Sequence, residues 1–133
     1  MTEQRDTETI AIDPVAMHIV NRIAAGCRQS GTFQCQGGLM VEGRMEGEIE
    51  VVGGPLVLMP QGVVAGKIKA HAEAYLFGTI DPRSDTEPSV LEVGGAVFLA
   101  ETLRARADIT AGAIKSYEGA QVEGRISTAK RAV

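Results

Sequence analysis

The stretch that decides the fold runs from Leu39 to Ile80 and reads LMVEGRMEGEIEVVGGPLVLMPQGVVAGKIKAHAEAYLFGTI. Nearly every second residue in it is apolar or glycine. The alternation begins with Leu39, Val41, Gly43, Met45, Gly47, Ile49 and Val51. It slips by one position at Val51-Val52 and continues through Val52, Gly54, Leu56, Leu58, Pro60, Gly62, Val64, Gly66, Ile68, Ala70, Ala72, Ala74, Leu76, Gly78 and Ile80. A period of two residues is typical of β structure with one dry face.

The second run is too long for a single strand, because strands usually have about 3–10 residues. The chain must therefore bend repeatedly while the same face stays inward. A six-residue repeat is visible at Val52, Leu58, Val64, Ala70 and Leu76. Three such hexads would form a triangular coil of about 18 residues, the size of a solenoid turn. The pattern predicts an all-β, parallel β-solenoid that turns its corners at glycine and small residues.

Antiparallel alternatives find little support in the turn chemistry. Hairpins favour Asn-Gly or Asp-Gly loops, and the single asparagine, Asn21, lies outside the alternating region. Three Gly-Gly pairs could form tight turns, so a sandwich or meander remains the less favoured fold. Aromatic residues make up only 4% of the chain and tryptophan is absent. A core of Val, Ile, Leu, Ala and Gly suits a narrow lumen.

Length and charge restrict the class of protein further. A chain of 133 residues is enough for one domain. Its net charge of −4 argues against nucleic acid as a partner, because that binding needs a basic surface. Cys27 and Cys35 form no CxxC motif and are expected to stay as thiols in a reducing cytoplasm. The polar, acidic N-terminus predicts neither a secretory signal nor a transmembrane span.

We predict four segments along the chain. Residues 1–12 form a disordered tail, and residues 13–28 form a helix that begins at Asp13-Pro14 and ends near Gly26. This helix is expected to cover one end of the solenoid, with a membrane or partner contact as the alternative. Its contact face is Ala16, Ile19, Val20, Ile23 and Ala24. The β-helix spans residues 32–126 with an inserted loop at 81–89, and residues 127–133 form a C-terminal tail.

The shared phase of the alternation also predicts which side chains point into the lumen. These are Val41, Met45, Ile49, Val64, Ile68, Leu76, Ile80, Val97, Leu99, Ile109, Val122 and Ile126.

A weak internal repeat ends its units in Gly-x-Ile. It occurs at Gly47-Glu48-Ile49, Gly66-Lys67-Ile68, Gly78-Thr79-Ile80, Gly112-Ala113-Ile114 and Gly124-Arg125-Ile126. Longer phrases are VEGRMEGEI at 41–49 and GAQVEGRI at 119–126. With these phrases the chain resembles the bactofilins, small bacterial cytoskeletal proteins, over about residues 38–126. The inserted loop, the N-terminal helix and Tyr117, in place of a phenylalanine in the last coils, depart from the family pattern.

The resemblance implies a right-handed parallel β-helix, here of roughly five coils, that assembles end to end into filaments without a nucleotide. It also implies a scaffold for cell-wall enzymes or other morphogenetic proteins, in the cytoplasm or at the inner face of the cytoplasmic membrane. The residues expected at the polymerisation interface are Leu39, Val41, Tyr117, Val122 and Ile126. A non-polymerising adaptor, capped by its own N-terminal helix, is the alternative.

An enzyme is the least favoured interpretation. Hexapeptide acyltransferases and trimeric carbonic anhydrases share the six-residue repeat, but a zinc site of the anhydrase class needs three histidines and the chain has His18 and His71. An acyltransferase could use a single histidine base. His71 is predicted to be solvent-exposed. The carboxylates expected to form a solvated, like-charged stripe are Glu42, Glu46, Glu48 and Glu50. No phosphate-binding glycine loop is present, and we predict neither catalysis nor a cofactor or metal.

Overall fold

The computed structural model describes residues 15–16, 19–84 and 86–128, and in these ranges the chain is a parallel β-solenoid with no helix. All strand pairs are parallel. The strands are β1 (Ile19–Ile23), β2 (Arg28–Gln36), β3 (Gly38–Val41), β4 (Arg44–Val52), β5 (Leu56–Leu58), β6 (Val63–Ala70), β7 (Ala74–Leu76), β8 (Thr79–Asp81), β9 (Ser89–Leu99), β10 (Arg104–Ser116), β11 (Gln121–Glu123) and β12 (Ile126–Thr128).

Paired residues lie one coil apart in the sequence. Asn21 pairs with Leu39, Arg28 with Arg44, and Arg44 in turn with Val63, which are separations of 18, 16 and 19 residues. These spacings confirm the solenoid predicted from the hexads. The chain makes about six turns, one more than the sequence predicted. The additional turn is the first, which β1 and β2 form.

Each coil contains three straight segments, and these stack into three faces. The first face is built from β1, β3, β5, β7 and the last parts of β9 and β10. The second is built from the starts of β2, β4, β6 and β10 together with β8 and β11. The third is built from the ends of β2, β4 and β6, the start of β9, the middle of β10 and β12. We number the coils 1 to 6 from the N-terminus.

The helix predicted over residues 13–28 is wrong for the part that the structure describes. Ile19, Val20 and Ile23 lie in β1, Ala24 follows that strand, and Ala16 lies in a turn. A short apolar run fits both a helix and a strand. Strand β3 offers parallel partners to four of the five residues of β1, whereas an isolated helix of about 12 residues is marginal in water. The solenoid therefore begins at Ile19 and not at residue 32. Residues 1–14, 17–18, 85 and 129–133 lie outside the described residues, and with them the predicted disordered tail at 1–12, the predicted helix start at Asp13-Pro14 and residues 129–133 of the predicted C-terminal tail. Ser127 and Thr128, which the prediction also places in that tail, lie in β12.

The lumen holds one continuous apolar cluster. Ten of the twelve side chains predicted to point inward are buried there, from Val41 in coil 2 to Ile109 in coil 5. The other two belong to coil 6, where Val122 is half-buried and Ile126 is 46% exposed. Both are uncovered for the same reason, because no described coil follows coil 6.

The corner between the second and third faces requires glycine in coils 2 and 3. Gly31, Gly47 and Gly66 stack directly on one another. Gly47 and Gly66 have φ of 120° and 119°, a region that L side chains rarely adopt. A Cβ on Gly47 would also overlap the carbonyl oxygen of Gly31. The sharp bend therefore keeps successive coils at normal ladder spacing only because no side chain lies between them.

In coil 4 the same corner carries the inserted loop. Strand β8 ends at Asp81 and β9 begins at Ser89, which takes the corner position, so that the described residues between them, 82–84 and 86–88, leave the coil. The Ser89 side chain is fully buried. Its hydroxyl accepts a hydrogen bond from the Gly66 N–H at 2.9 Å and donates one to the Asp81 carbonyl. These two hydrogen bonds hold the corner together at the point where the inserted loop leaves the coil.

Candidate functional site: the two ends of the solenoid

The C-terminal end exposes an apolar surface and a row of strands that pair on one side only. Strands β11 and β12 pair with β10, and among the described residues nothing pairs with their other edge. Ile114, Ala120 and Val122 are half-buried against the core, and Ile126 is largely exposed. Such an edge, with free N–H and C=O groups beside an apolar surface, is a template for adding a further strand.

Among the described residues, the edge strands of the N-terminal end, β1 and β2, also pair on one side only, but this end is more polar. Strand β1 pairs with β3 and β2 with β4, and Ile23 and Phe33 pack against the core from coil 1. Asn21 occupies an inward position beside them. Its amide donates hydrogen bonds to the carbonyls of Gln36 at 2.8 Å and Gly38 at 3.4 Å. The two ends of the molecule are therefore chemically different.

The structure separates the five residues expected at the polymerisation interface. Tyr117, Val122 and Ile126 come together in coil 6. Leu39 and Val41 do not join an end, because they are fully buried in β3 with β1 on one side and β5 on the other. Ile23 and Phe33 take the terminal position that Leu39 and Val41 were expected to hold. Counting one coil back from Val41 and Ile49 would have found them in the sequence.

The residues assigned to a helical contact face do not share a surface. Ile19, Asn21 and Ile23 alternate with Val20 along β1, and Val20 is 72% exposed. The spacing of three and four residues that suggested a helix thus mixes inward and outward positions of a strand.

The outer surface of the third face carries charges of both signs. Glu48 pairs with Lys67, and Glu50 with Lys69. His71 is exposed, as predicted, and its Nε2 lies 2.6 Å from Glu50 Oε2. On the second face, Arg44 contacts Glu46 at 2.6 Å. The like-charged stripe predicted from the sequence is therefore wrong, because Glu48 and Glu50 lie beside lysines of the next coil and Glu46 contacts Arg44 of its own strand.

The buried Cys35 and the half-buried Tyr75 have shifted pKa values. Burial raises the pKa of the Cys35 thiol, and burial together with the nearby Glu73 carboxylate raises the pKa of the Tyr75 hydroxyl. Both shifts favour the neutral form. Cys27 and Cys35 are both free thiols.

No cluster of three or more His, Cys, Asp or Glu side chains suited to a metal ion occurs in the part of the chain that the structure describes. Within residues 15–16, 19–84 and 86–128 there is also no helix long and apolar enough to cross a membrane. A groove with a volume of about 410 Å³ lies open on the third face, between Phe33 and Lys69.

The fold and its ends define the class: a parallel β-solenoid with an apolar lumen, whose first and last described coils pair on one side only. The sequence model of the bactofilins, described as polymer-forming cytoskeletal proteins, matches residues 21–127. The chain therefore belongs to the bactofilin family, which confirms the resemblance found in the sequence. Comparison with curated proteins and with solved structures returned no match.

Proposed function

We propose that this chain is a cytoskeletal subunit that assembles end to end into filaments without a nucleotide. The observation that carries the proposal is the C-terminal end, where a half-exposed Ile126 and a half-buried Val122 lie beside unpaired strand edges. Membership of a polymer-forming family supports it.

The driving force follows from the solenoid itself. Joining two ends satisfies the backbone N–H and C=O groups of both edge strands and removes the apolar lumen residues from water. Burying apolar surface contributes about 25 cal/mol per Å². Since every coil already binds its neighbour in this way, a filament junction repeats a contact that the subunit makes internally. No bound nucleotide is needed to switch it on.

The test is sedimentation of the purified protein with and without ATP or GTP. Wild type is expected to pellet in ultracentrifugation under both conditions. Ile126→Lys should remain in the supernatant while keeping its β circular dichroism signal, because an unpaired charge in a dry junction is costly. Thr110→Lys is the matched control, since Thr110 lies on the outer side of coil 5 and is the ladder partner of Ser127.

Two results would contradict the proposal. Wild type that stays monomeric at high concentration by light scattering would exclude filaments and favour a non-polymerising adaptor. An Ile126→Lys protein that pellets as well as Thr110→Lys would show that coil 6 is not the contact.

The remaining features of the proposal come from the family. We infer a right-handed winding, the usual hand of parallel crossovers, and a structural, non-enzymatic role in the cytoplasm or at the inner face of the cytoplasmic membrane. The expected clients are cell-wall enzymes or other morphogenetic proteins. Tagged filaments that fail to retain such enzymes at their position in cells would contradict the scaffold role.

A further inference from the structure

On the outer side of the first face, one position in each coil is aligned across all six coils, and the four central residues at this position are apolar. Strand register aligns them as a single row, which we call the outer ladder. In order from coil 1 to coil 6 the outer ladder is Arg22, Met40, Val57, Tyr75, Phe98 and Lys115. The equivalent row on the third face is polar throughout: Gln34, Glu50, Lys69, Glu92, Thr110 and Ser127. One face of the solenoid is therefore apolar outside as well as inside.

The centre of the outer ladder has a defined shape. The rings of Tyr75 and Phe98 stack with centroids 4.7 Å apart and planes inclined by 2°. Val57 is buried, and Met40, Tyr75 and Phe98 are each half-buried. The ladder thus places two small or flexible side chains in coils 2 and 3 and two large flat ones in coils 4 and 5.

We propose that this face binds the same face of a second copy, with the two solenoids antiparallel. Reversing the ladder places Met40 opposite Phe98 and Tyr75 opposite coil 3, where Val57 is fully buried and does not project, so that no aromatic ring meets another. Sheets that pack face to face interdigitate in this way at a separation of about 10 Å. Methionine sulfur on an aromatic ring adds to the contact. The interface is isologous, as in a two-fold dimer.

A parallel arrangement would fit poorly. It would oppose Tyr75 to Tyr75 and Phe98 to Phe98 at one end, where large side chains would collide. At the other end it would oppose Val57 to Val57, where a gap would remain. At the ladder ends the antiparallel arrangement brings Arg22 towards Lys115. Each already has a partner in its own chain, since Arg22 contacts Glu42 at 2.5 Å and Lys115 Nζ lies 5.7 Å from the Tyr117 ring centroid.

The size of the face predicts when pairing occurs. Six coils at about 4.8 Å and segments of about 3–5 residues give roughly 250–400 Å² per copy, against about 800 Å² per partner in a stable interface. Single subunits should therefore not pair, whereas filaments repeat the contact along their length and gain avidity. The inference rests on the end-to-end assembly proposed above.

Cross-linking tests both the face and its orientation. In a Cys27→Ser background, the double variant Met40→Cys/Phe98→Cys is expected to form covalent dimers when its filaments are treated with a bis-maleimide that spans the separation of about 10 Å between facing sheets. Each single variant should form none. A link between the two positions of one chain would join no second chain, and three coils, about 14 Å, separate these positions. Three coils also separate them across any end-to-end junction, which a spacer of about 10 Å does not span.

Each outcome of the cross-linking experiment either supports or overturns the proposed pairing. Dimers from the single variants would overturn the antiparallel orientation, and no dimers from filaments of the double variant would overturn pairing through this face. If the protein forms no filaments at all, the proposed function fails, and this inference fails with it. Filaments that form but remain single overturn the inference alone.

Filament width gives a second, independent measurement. Wild-type filaments should appear paired in negative stain, and Tyr75→Glu should give filaments of about half that width. Lys69→Glu is the control. Lys69 lies on the outer side of the third face, so filaments of this variant should keep the paired width. Tyr75→Glu filaments as wide as wild type would overturn the proposal.

Other occupants of the face are tested with subunits that cannot assemble. In the Cys27→Ser/Ile126→Lys background, Phe98→Cys should react rapidly with a maleimide, because the face is free before filaments form. Slow labelling would show that the chain covers its own face. Binding of these unassembled subunits to phosphatidylserine vesicles that Tyr75→Glu abolishes would assign the face to lipid. Either result would overturn the proposal.

Discussion

At the corner between the second and third faces, single glycines decide whether two coils can stack. Gly31 and Gly47 occupy the same column with similar backbone angles, φ of 96° and 120°. They differ in one respect: a Cβ on Gly31 would meet open space, whereas one on Gly47 would meet the backbone of Gly31. The pair therefore separates the conformational cost of a side chain from its steric cost.

We predict that Gly31→Ala destabilises the fold by about 1–2 kcal/mol, the cost of an L residue at positive φ. Gly47→Ala should cost about 1–3 kcal/mol more, because overlap with the next coil adds to the strain. Urea unfolding of both variants in the non-assembling Ile126→Lys background measures the two values. Equal losses would show that coil spacing adjusts freely and would contradict the steric argument.

Cys35 links stability to alkaline pH. Its thiol is buried and lies 3.8 Å from the Gly37 carbonyl oxygen, and burial raises its pKa. The folded state holds the proton while the unfolded chain releases it above about pH 8.5. A raised pKa in the folded state stabilises fully below the unfolded pKa, and this contribution is lost as pH rises through the folded pKa.

Cys35→Ala should therefore unfold more easily than the parent by an amount that is constant below about pH 8 and shrinks as the pH rises above the unfolded thiol pKa of about 8.5. Chemical denaturation at several pH values, both proteins in the Ile126→Lys background under reducing conditions, measures this difference. A difference that stays constant up to pH 10 would show that the thiol does not titrate differently in the two states.

At the scale of an element, the insert at residues 82–88 is an addition to a complete coil. Ala65 pairs with Asp81 and Lys67 with Val90, so only the corner residue Ser89 is needed between Asp81 and Val90. The loop is held by its own hydrogen bonds, from the Arg83 and Ser84 N–H groups to the Glu87 carbonyl at 2.9 and 3.2 Å. The register of coil 4 does not depend on it.

Removal of residues 82–88 together with Ser89→Gly should leave a folded solenoid at least as stable as the parent. The new corner would match those at Gly47 and Gly66, and the closure entropy of the loop would be recovered. The same deletion with Ser89 retained is the control, and it should lose about 1–3 kcal/mol because serine must then adopt the strained corner conformation. Thermal unfolding compares the two. Equal melting temperatures would contradict the corner argument.

At the scale of the whole molecule, stability is expected to fall towards the ends. Ile68 and Ile126 belong to one inward column, aligned through Leu91 and Ile109, yet Ile68 is 1% exposed and Ile126 is 46% exposed. Each coil of a solenoid contacts only its neighbours, so a terminal coil has one partner and a central coil has two.

We predict that Ile68→Ala costs about 2–5 kcal/mol of unfolding free energy in subunits at low concentration, and Ile126→Ala less than about 1 kcal/mol. In filament assembly Ile126→Ala should have the larger effect of the two variants, and it should raise the concentration needed for assembly several-fold. Urea unfolding of dilute protein and pelleting across concentrations measure the two effects. An Ile126→Ala protein as unstable as Ile68→Ala would show that coil 6 is already covered within one chain.

The sequence by itself determined the solenoid, its lumen residues and its family, because period-two alternation with small corner residues leaves few other folds. It could not determine coil 1. Residues Ile19 to Ile23 fit a helix or a strand equally, and only the edge of β3, one coil away in space and 18 residues away in sequence, decides for the strand. The same holds for the outer surface: charges and aromatic rings from different coils become neighbours only through the register. Local pattern fixes which side of a strand is dry, while pairing between coils fixes what each outer side chain meets.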